Sequence, residues 1–209
     1  LGGLNVQSGV TLTVTGNFTF TLGNVSPFSN IAGNLTITGT SSRTIANLTV
    51  AGSGTISSTG GATSIASTTT LPWVNNGTIT LTTLGYPNGK TFDNNGTLTC
   101  AMGSTSQGTL NNNSGATLTL TGTVAGNINN FGTMNSAGLS GTAAVAVLNN
   151  KSTGVLNFTG GSMSATNLVL NATEAGNTVN YAAGVSQTVK DVVYSNLTLS
   201  ASATATKTI

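Results

Sequence analysis

Residues 75–81 read NNGTITL, and residues 94–100 read NNGTLTC. The same phrase returns nineteen residues later with two apolar exchanges. Within it, Thr alternates with Ile, Leu or Cys, the period of a strand with one buried face. The Asn pair and Gly ahead of it are turn residues. Asn pairs recur at 75–76, 94–95, 112–113, 129–130 and 149–150, in steps of 19, 18, 17 and 20. One strand and one Asn turn at a near-constant step mark a repeat architecture. The fold that fits is all-β: a β-solenoid (parallel β-helix) with coils of about 20 residues and a few irregular coils. Stacked coils place the same turn above itself, so that Asn amides bond one another in a ladder. At ~4.8 Å per coil, residues 1–209 make a single domain of on the order of ten coils and roughly 50 Å.

Further alternating stretches read as strands: VTLTVTG (10–16), NFTFTLG (17–23), NLTITGT (34–40), NLTVAG (47–52), TLTCAM (97–102), ATLTLTGT (116–123) and NLTLSA (196–201). Gly and Ser–Thr–Asn clusters interrupt every window long enough for a helix. The first third is less regular. LPWVNNG and LGYPNGK each set a Pro beside an aromatic and read as loops or coil corners, because Pro donates nothing to a central ladder.

Composition narrows the function. Charged residues are 4% of the chain, against about a quarter in ordinary globular proteins. Hydroxyls and amides keep this surface in water instead. Arg43, Lys90, Lys151, Lys190 and Lys207 are scattered, so no stripe of them neutralises consecutive phosphates and nucleic acid is not an expected partner. No apolar run is long enough to span a bilayer, so no membrane insertion is expected. With one Cys and no His, neither an internal disulfide nor a Cys–His zinc site forms. The chain opens mid-pattern at Leu1, and the expectation is a mature product or a piece of something longer.

The carboxylates are Asp93, Glu174 and Asp191, far apart in sequence. No base–nucleophile–orienter set is visible, so the expectation is a protein that is not an enzyme. No cofactor and no metal are expected either: Gly60–Gly61 and Gly160–Gly161 are not followed by the Asp of a calcium-binding repeat. Cys100 occupies a Leu position of its repeat and reads as an apolar core residue. Trp73 and Tyr86 lie in the two Pro-containing stretches and are the residues by which a glycan-binding module would stack on surface sugars. Packing is the stronger reading for Trp73, since large aromatics are mostly buried. Phe18, Phe20, Phe92, Phe131 and Phe158 are expected inside. Thr-x-Thr phrases also raise ice binding. That reading requires the same Thr pair on successive equal coils, and the uneven spacing of the first seventy residues argues against it.

The two ends echo each other. Residues 34–45 read NLTITGTSSRTI and 196–209 read NLTLSASATATKTI. ANLTV follows Ile45, and the opening LGGLNV has the form of such a continuation after Ile209. Neither end shows a charged or helical cap, and an uncapped solenoid exposes strand edges that pair with further copies. Leu1, Leu4, Val6, Leu197, Leu199 and Ile209 are the expected lining of a head-to-tail junction between copies. Residues 176–209, with Asn180–Tyr181, Gln187–Thr188, Tyr194, Asn196–Leu197 and Lys207–Thr208, resemble the β-helical repeats of very large secreted bacterial surface proteins. Those are adhesin and filament types, above all in type IX secretion bacteria, and NNGTLT is similar to filamentous haemagglutinin repeats. The resemblance implies an extracellular, cell-surface structural protein, and it brings no catalytic set.

Overall fold

The computed structural model describes residues 4–15, 29–39, 43–45, 48–65, 73–103, 108–122, 124–140, 146–160, 163–164, 167–200 and 204–209. Leu1 and the expected strand at 17–23, with Phe18 and Phe20, lie outside them. The described residues contain strands and turns and no helix. Every strand pair is parallel. The chain is a β-solenoid.

Two long sheets form its walls. The first runs from Asn5–Val6 through Ser29–Ile31, Leu48–Val50, Trp73–Asn75, Thr91–Asn94, Thr109–Asn112, Asn127–Asn130 and Ala146–Asn150 to Leu168–Asn171. The second runs from Thr11–Val14 through Asn34–Ile37, Thr55–Ser58, Thr78–Gly85, Thr97–Met102, Thr117–Leu120, Thr133–Ser136, Val155–Phe158 and Thr178–Tyr181 to Leu197–Leu199. Each coil therefore carries a strand in both sheets, not the one strand per repeat read from the sequence. A short third side closes the coil. Past an irregularity between Thr80 and Thr83, Leu84 and Gly85 pair with Thr63 and Ser64. Leu139–Ser140 pairs with Met163–Ser164, and Gln187–Thr188 with Lys207–Thr208.

Alternation puts every second side chain inward. Ile79, Leu98, Leu118 and Met134 stack in register at 0–1% exposure, with Thr78, Thr97, Thr117 and Thr133 beside them on the outside. One continuous cluster from Val6 to Val189 fills the interior. Hydrophobic burial is the main favourable term, and here it is spread along a column in which each coil is covered by its two neighbours. Phe92 and Phe158 are in that column, while Phe131 is half-buried at a corner.

Coil length varies, yet outside the irregularity between Thr80 and Thr83 the described register does not slip. The step is 16 residues from Thr117 to Thr133 and 23 from Val155 to Thr178. Extra residues go into the corners and the third side, because a one-residue slip within a strand would turn its apolar set outward. The early coils obey the same rule: Thr11, Asn34, Thr55 and Thr78 pair in succession, as do Thr13, Thr36, Ser57 and Thr80. The uneven sequence spacing there does not disturb the outer face.

Candidate functional site

Among the described residues four polar ladders run up the column. The inner one begins where the first sheet changes from Val50 to Asn75. Asn75, Asn94, Asn112, Asn130 and Asn150 are each at 0–1% exposure. Each Nδ2 donates to the next Oδ1, at 2.7, 2.8, 2.7 and 2.8 Å. The second amide hydrogen goes to a backbone carbonyl at the facing corner: Thr97, Thr117, Thr133, Val155 and Thr178 accept in turn, at 3.0–3.1 Å. A carbonyl oxygen has two lone pairs, and the amide adds a donor from inside to each of these carbonyls. In the pairs 75–76, 94–95 and 112–113 the first Asn is thus the last residue of a strand, pointing inward, and the second belongs to the turn. In 129–130 and 149–150 the second Asn ends the strand and points inward, and the first faces outward.

The other ladders are on the surface. Asn113 donates to Asn95 and Asn95 to Asn76 along the corner. On the outer face of the first sheet Asn171, Asn149, Asn129 and Asn111 donate in sequence, ending on Asp93 at 2.8 Å. A carboxylate only accepts, so Asp93 sets the direction of that whole chain of amides, opposite to the inner ladder. On the second sheet Asn180 donates to Asn157, and Asn157 to Asn135.

The ends of the column differ from its middle. Leu12 and Val14 pair with Leu35 and Ile37, both 1% exposed, but are themselves only partly buried. At the other end Leu197 and Leu199 occupy the positions of Val179 and Tyr181. Leu199 is 43% exposed, and Leu197 is partly buried with Val192 and Tyr194. Core-facing side chains there are less covered than those in the middle of the column. Of the junction residues read from the sequence, Leu4 packs partly buried, its N–H on Ser29 Oγ. Ile209 is exposed, and Val6 is already covered at 2%. Leu12 and Val14 belong to the open face and were missed, although the alternation of VTLTV already pointed them inward.

Trp73 packs, as its stronger reading had it, and Tyr86 does not present the exposed ring expected of it. Trp73 is buried in a first-sheet strand, 5.9 Å from the Phe92 ring with which it is in register. Tyr86 has no exposed surface, and its hydroxyl donates to the Ala125 carbonyl at 3.0 Å. Pro87 follows it outside the strand. Burial pushes the Tyr86 hydroxyl far above its ordinary range. Neither ring offers a face to a sugar.

Cys100 is buried and in register with Leu120, as a core residue. Burial pushes its thiol up to about 12. A soluble disulfide reagent at pH 8 is expected to leave Cys100 unmodified in the folded protein and to label it fully in denaturant, since the thiolate is the reacting species. Fast labelling of folded protein would contradict this packing.

Of the carboxylates, Asp93 ends a ladder, Asp191 is exposed, and Glu174 pairs with Lys151 at 2.8 Å. The hydrogen bond from Lys151 holds Glu174 below the usual carboxylate range. The described residues hold no cluster of three or more metal-ligating His, Cys, Asp or Glu.

Fold and ladders together define the class: a parallel β-solenoid repeat protein. The chain matches no known family, no curated protein and no solved structure.

Proposed function

We propose that this chain is a non-enzymatic structural module of an extracellular cell-surface filament or adhesin stalk, extended by continuing the solenoid from one copy into the next. The observation that carries the reading is the unbroken parallel column, whose two walls hold the same order from the first described coil to the last. Leu12 and Val14, and Leu197 and Leu199, sit in register with the core residues Leu35, Ile37, Val179 and Tyr181 and are less covered than those are. The strands at those ends pair on one side among the described residues. An edge of this kind accepts another parallel strand by main-chain hydrogen bonds. A head-to-tail contact of unlike ends does not close, so it builds a fibre. Two further features support the reading: the near absence of charge, which leaves little repulsion between stacked copies, and the resemblance of residues 176–209 to secreted surface repeats.

Negative-stain microscopy of the purified protein tests it. The expected image is rods of one width and many lengths. Leu199→Asp, which puts a charge where the next coil would sit, is expected to leave the β-sheet circular dichroism intact and reduce the rods to single copies. A uniform population of short particles from the unaltered chain would sink the proposal.

A further inference from the structure

The outer face of the second sheet carries a two-column array of Thr that the structural role does not use. Thr78, Thr97 and Thr117 stand in one column, and Thr80, Thr99 and Thr119 in the next. The array reaches back to Thr11 and Thr13 at the first coil, with Asn34 and Ser57 as its only departures. Six consecutive strands of the second sheet thus repeat one motif, from Thr11–Val14 to Thr117–Leu120. No charged residue occurs at any of these positions. The spacing is fixed by the backbone: ~4.8 Å between coils and ~6.6 Å between alternate residues of a strand.

What separates the part of this face from Thr78 to Thr119 is the state of its polar groups; in the earlier coils Asn34 donates to Thr11 and accepts from Thr55. On the first sheet, and on the second sheet beyond Thr133, Asn amides bond one another up the ladders. Their hydrogen-bonding capacity is consumed along the column. The hydroxyls of Thr78, Thr80, Thr97, Thr99, Thr117 and Thr119 have no hydrogen-bond partner within the protein among the described residues. Each has a donor and two acceptor sites left for solvent. Each also holds a methyl group beside the hydroxyl, in a side chain with restricted χ1. Methyl groups order the water around them without bonding it, while hydroxyls anchor it at fixed intervals. A rectangular lattice of both is a template for a water lattice.

From this we infer that the Thr face binds crystalline water, that is, the surface of ice. Alternatives fit less well. A polyanion or polycation has no charge to meet. A crystalline polysaccharide is usually met by exposed aromatic rings, and the strand positions of this face carry none. The objection from uneven coil lengths falls away, because the register of the Thr pairs survives them.

The test is partition into a slowly growing ice shell together with thermal hysteresis of the purified full chain. Thr80→Tyr and Thr99→Tyr keep strand propensity and raise a bulky ring above the centre of the array. Val169→Tyr makes the same change at an exposed position of the first sheet. The expected result is ice partition and hysteresis in the unaltered chain and in Val169→Tyr, and loss of both to the buffer baseline in the two Thr variants, with circular dichroism showing all four folded. Folded protein excluded from ice, Thr variants as active as the parent, or retention on crystalline cellulose in place of ice would each overturn the inference. Rod formation is scored separately by microscopy, so this result does not depend on it.

Discussion

Replacing Asn112 with Ala is expected to destabilise the solenoid by about 4 kcal/mol, far more than a typical surface substitution. The side chain is fully buried, so water does not take over its role. Three groups lose a partner at once. Asn94 Nδ2 loses the Oδ1 it donates to at 2.8 Å, Asn130 Oδ1 loses its donor at 2.7 Å, and the Thr133 carbonyl loses a donor at 3.0 Å. Each unsatisfied buried group costs about 1–3 kcal/mol. Relaxation and the remaining bonds hold the sum to the lower part of that range. Asn112→Asp separates hydrogen bonding from packing. The shape is kept, but both side-chain atoms become acceptors, and one faces Asn130 Oδ1 and the Thr133 carbonyl. A buried carboxylate facing two acceptors is expected to cost at least as much as Ala. Asn113→Ala, next door, breaks one amide bond on the half-exposed corner ladder and is expected to cost less than about 1 kcal/mol. Denaturant midpoints of the three variants read this ordering directly. Equal, small effects from Asn112→Ala and Asn113→Ala would mean that the inner ladder contributes little.

That same ladder explains what was legible in the sequence. The second-sheet strands were plain, because TITL, TLTC and TLTL alternate Thr with apolar residues. The first-sheet strands TFDN, TLNN and NINN were not. Their inward positions are Phe92 and Asn94, Leu110 and Asn112, Ile128 and Asn130. A polar residue at every other inward site erases the period-two signal, so half of each coil read as turn. Recurrence of Asn was visible, but its cause was not: spacing alone does not say whether an amide faces water or the core. Tyr86 was misread for a different reason, while for Trp73 packing was already the stronger reading. Each neighbours a Pro, which argues for a corner but fixes only the backbone donor lost there, and the aromatic side chain still turns inward. The end residues were partly legible. Leu197 and Leu199 follow from alternation, whereas Leu12 and Val14 were read as strand without being asked which neighbour covers them.

Gly96→Ala is expected to destabilise the described coils by about 3 kcal/mol, the upper part of the range for overpacking. Gly33, Gly54, Gly77 and Gly96 stand above one another at the corner between the two sheets, each carbonyl accepting the N–H of Thr55, Thr78, Thr97 or Thr117 in the next coil. A Cβ on Gly96 would lie 2.1 Å from the Gly77 carbonyl oxygen and 3.0 Å from its nitrogen. Both atoms are backbone, and no rotamer moves them away. The coils must separate at that corner, which strains the 2.8 Å bond from Thr97 N–H to the Gly77 carbonyl. The next position in the column shows what accommodation requires. Ala116 sits there buried, but its corner runs through Asn113, Ser114 and Gly115, two residues longer than the corner at Asn95–Gly96, with Gly115 at φ +82 and the Ala116 N–H bonded to the Asn113 carbonyl. A methyl group is tolerated only where the chain takes a wider path. Gly52→Ala is the control. Its Cβ would meet only the Asn76 carbonyl, at 3.7 Å, an ordinary contact, and loss of unfolded-chain freedom is expected to leave it neutral or stabilised by a few tenths of a kcal/mol. For a chain of 209 residues the expected difference in melting temperature between the two variants is on the order of 10 °C. Equal melting temperatures would mean that the corner yields without cost, and the close stacking of the glycine corners would no longer account for their recurrence.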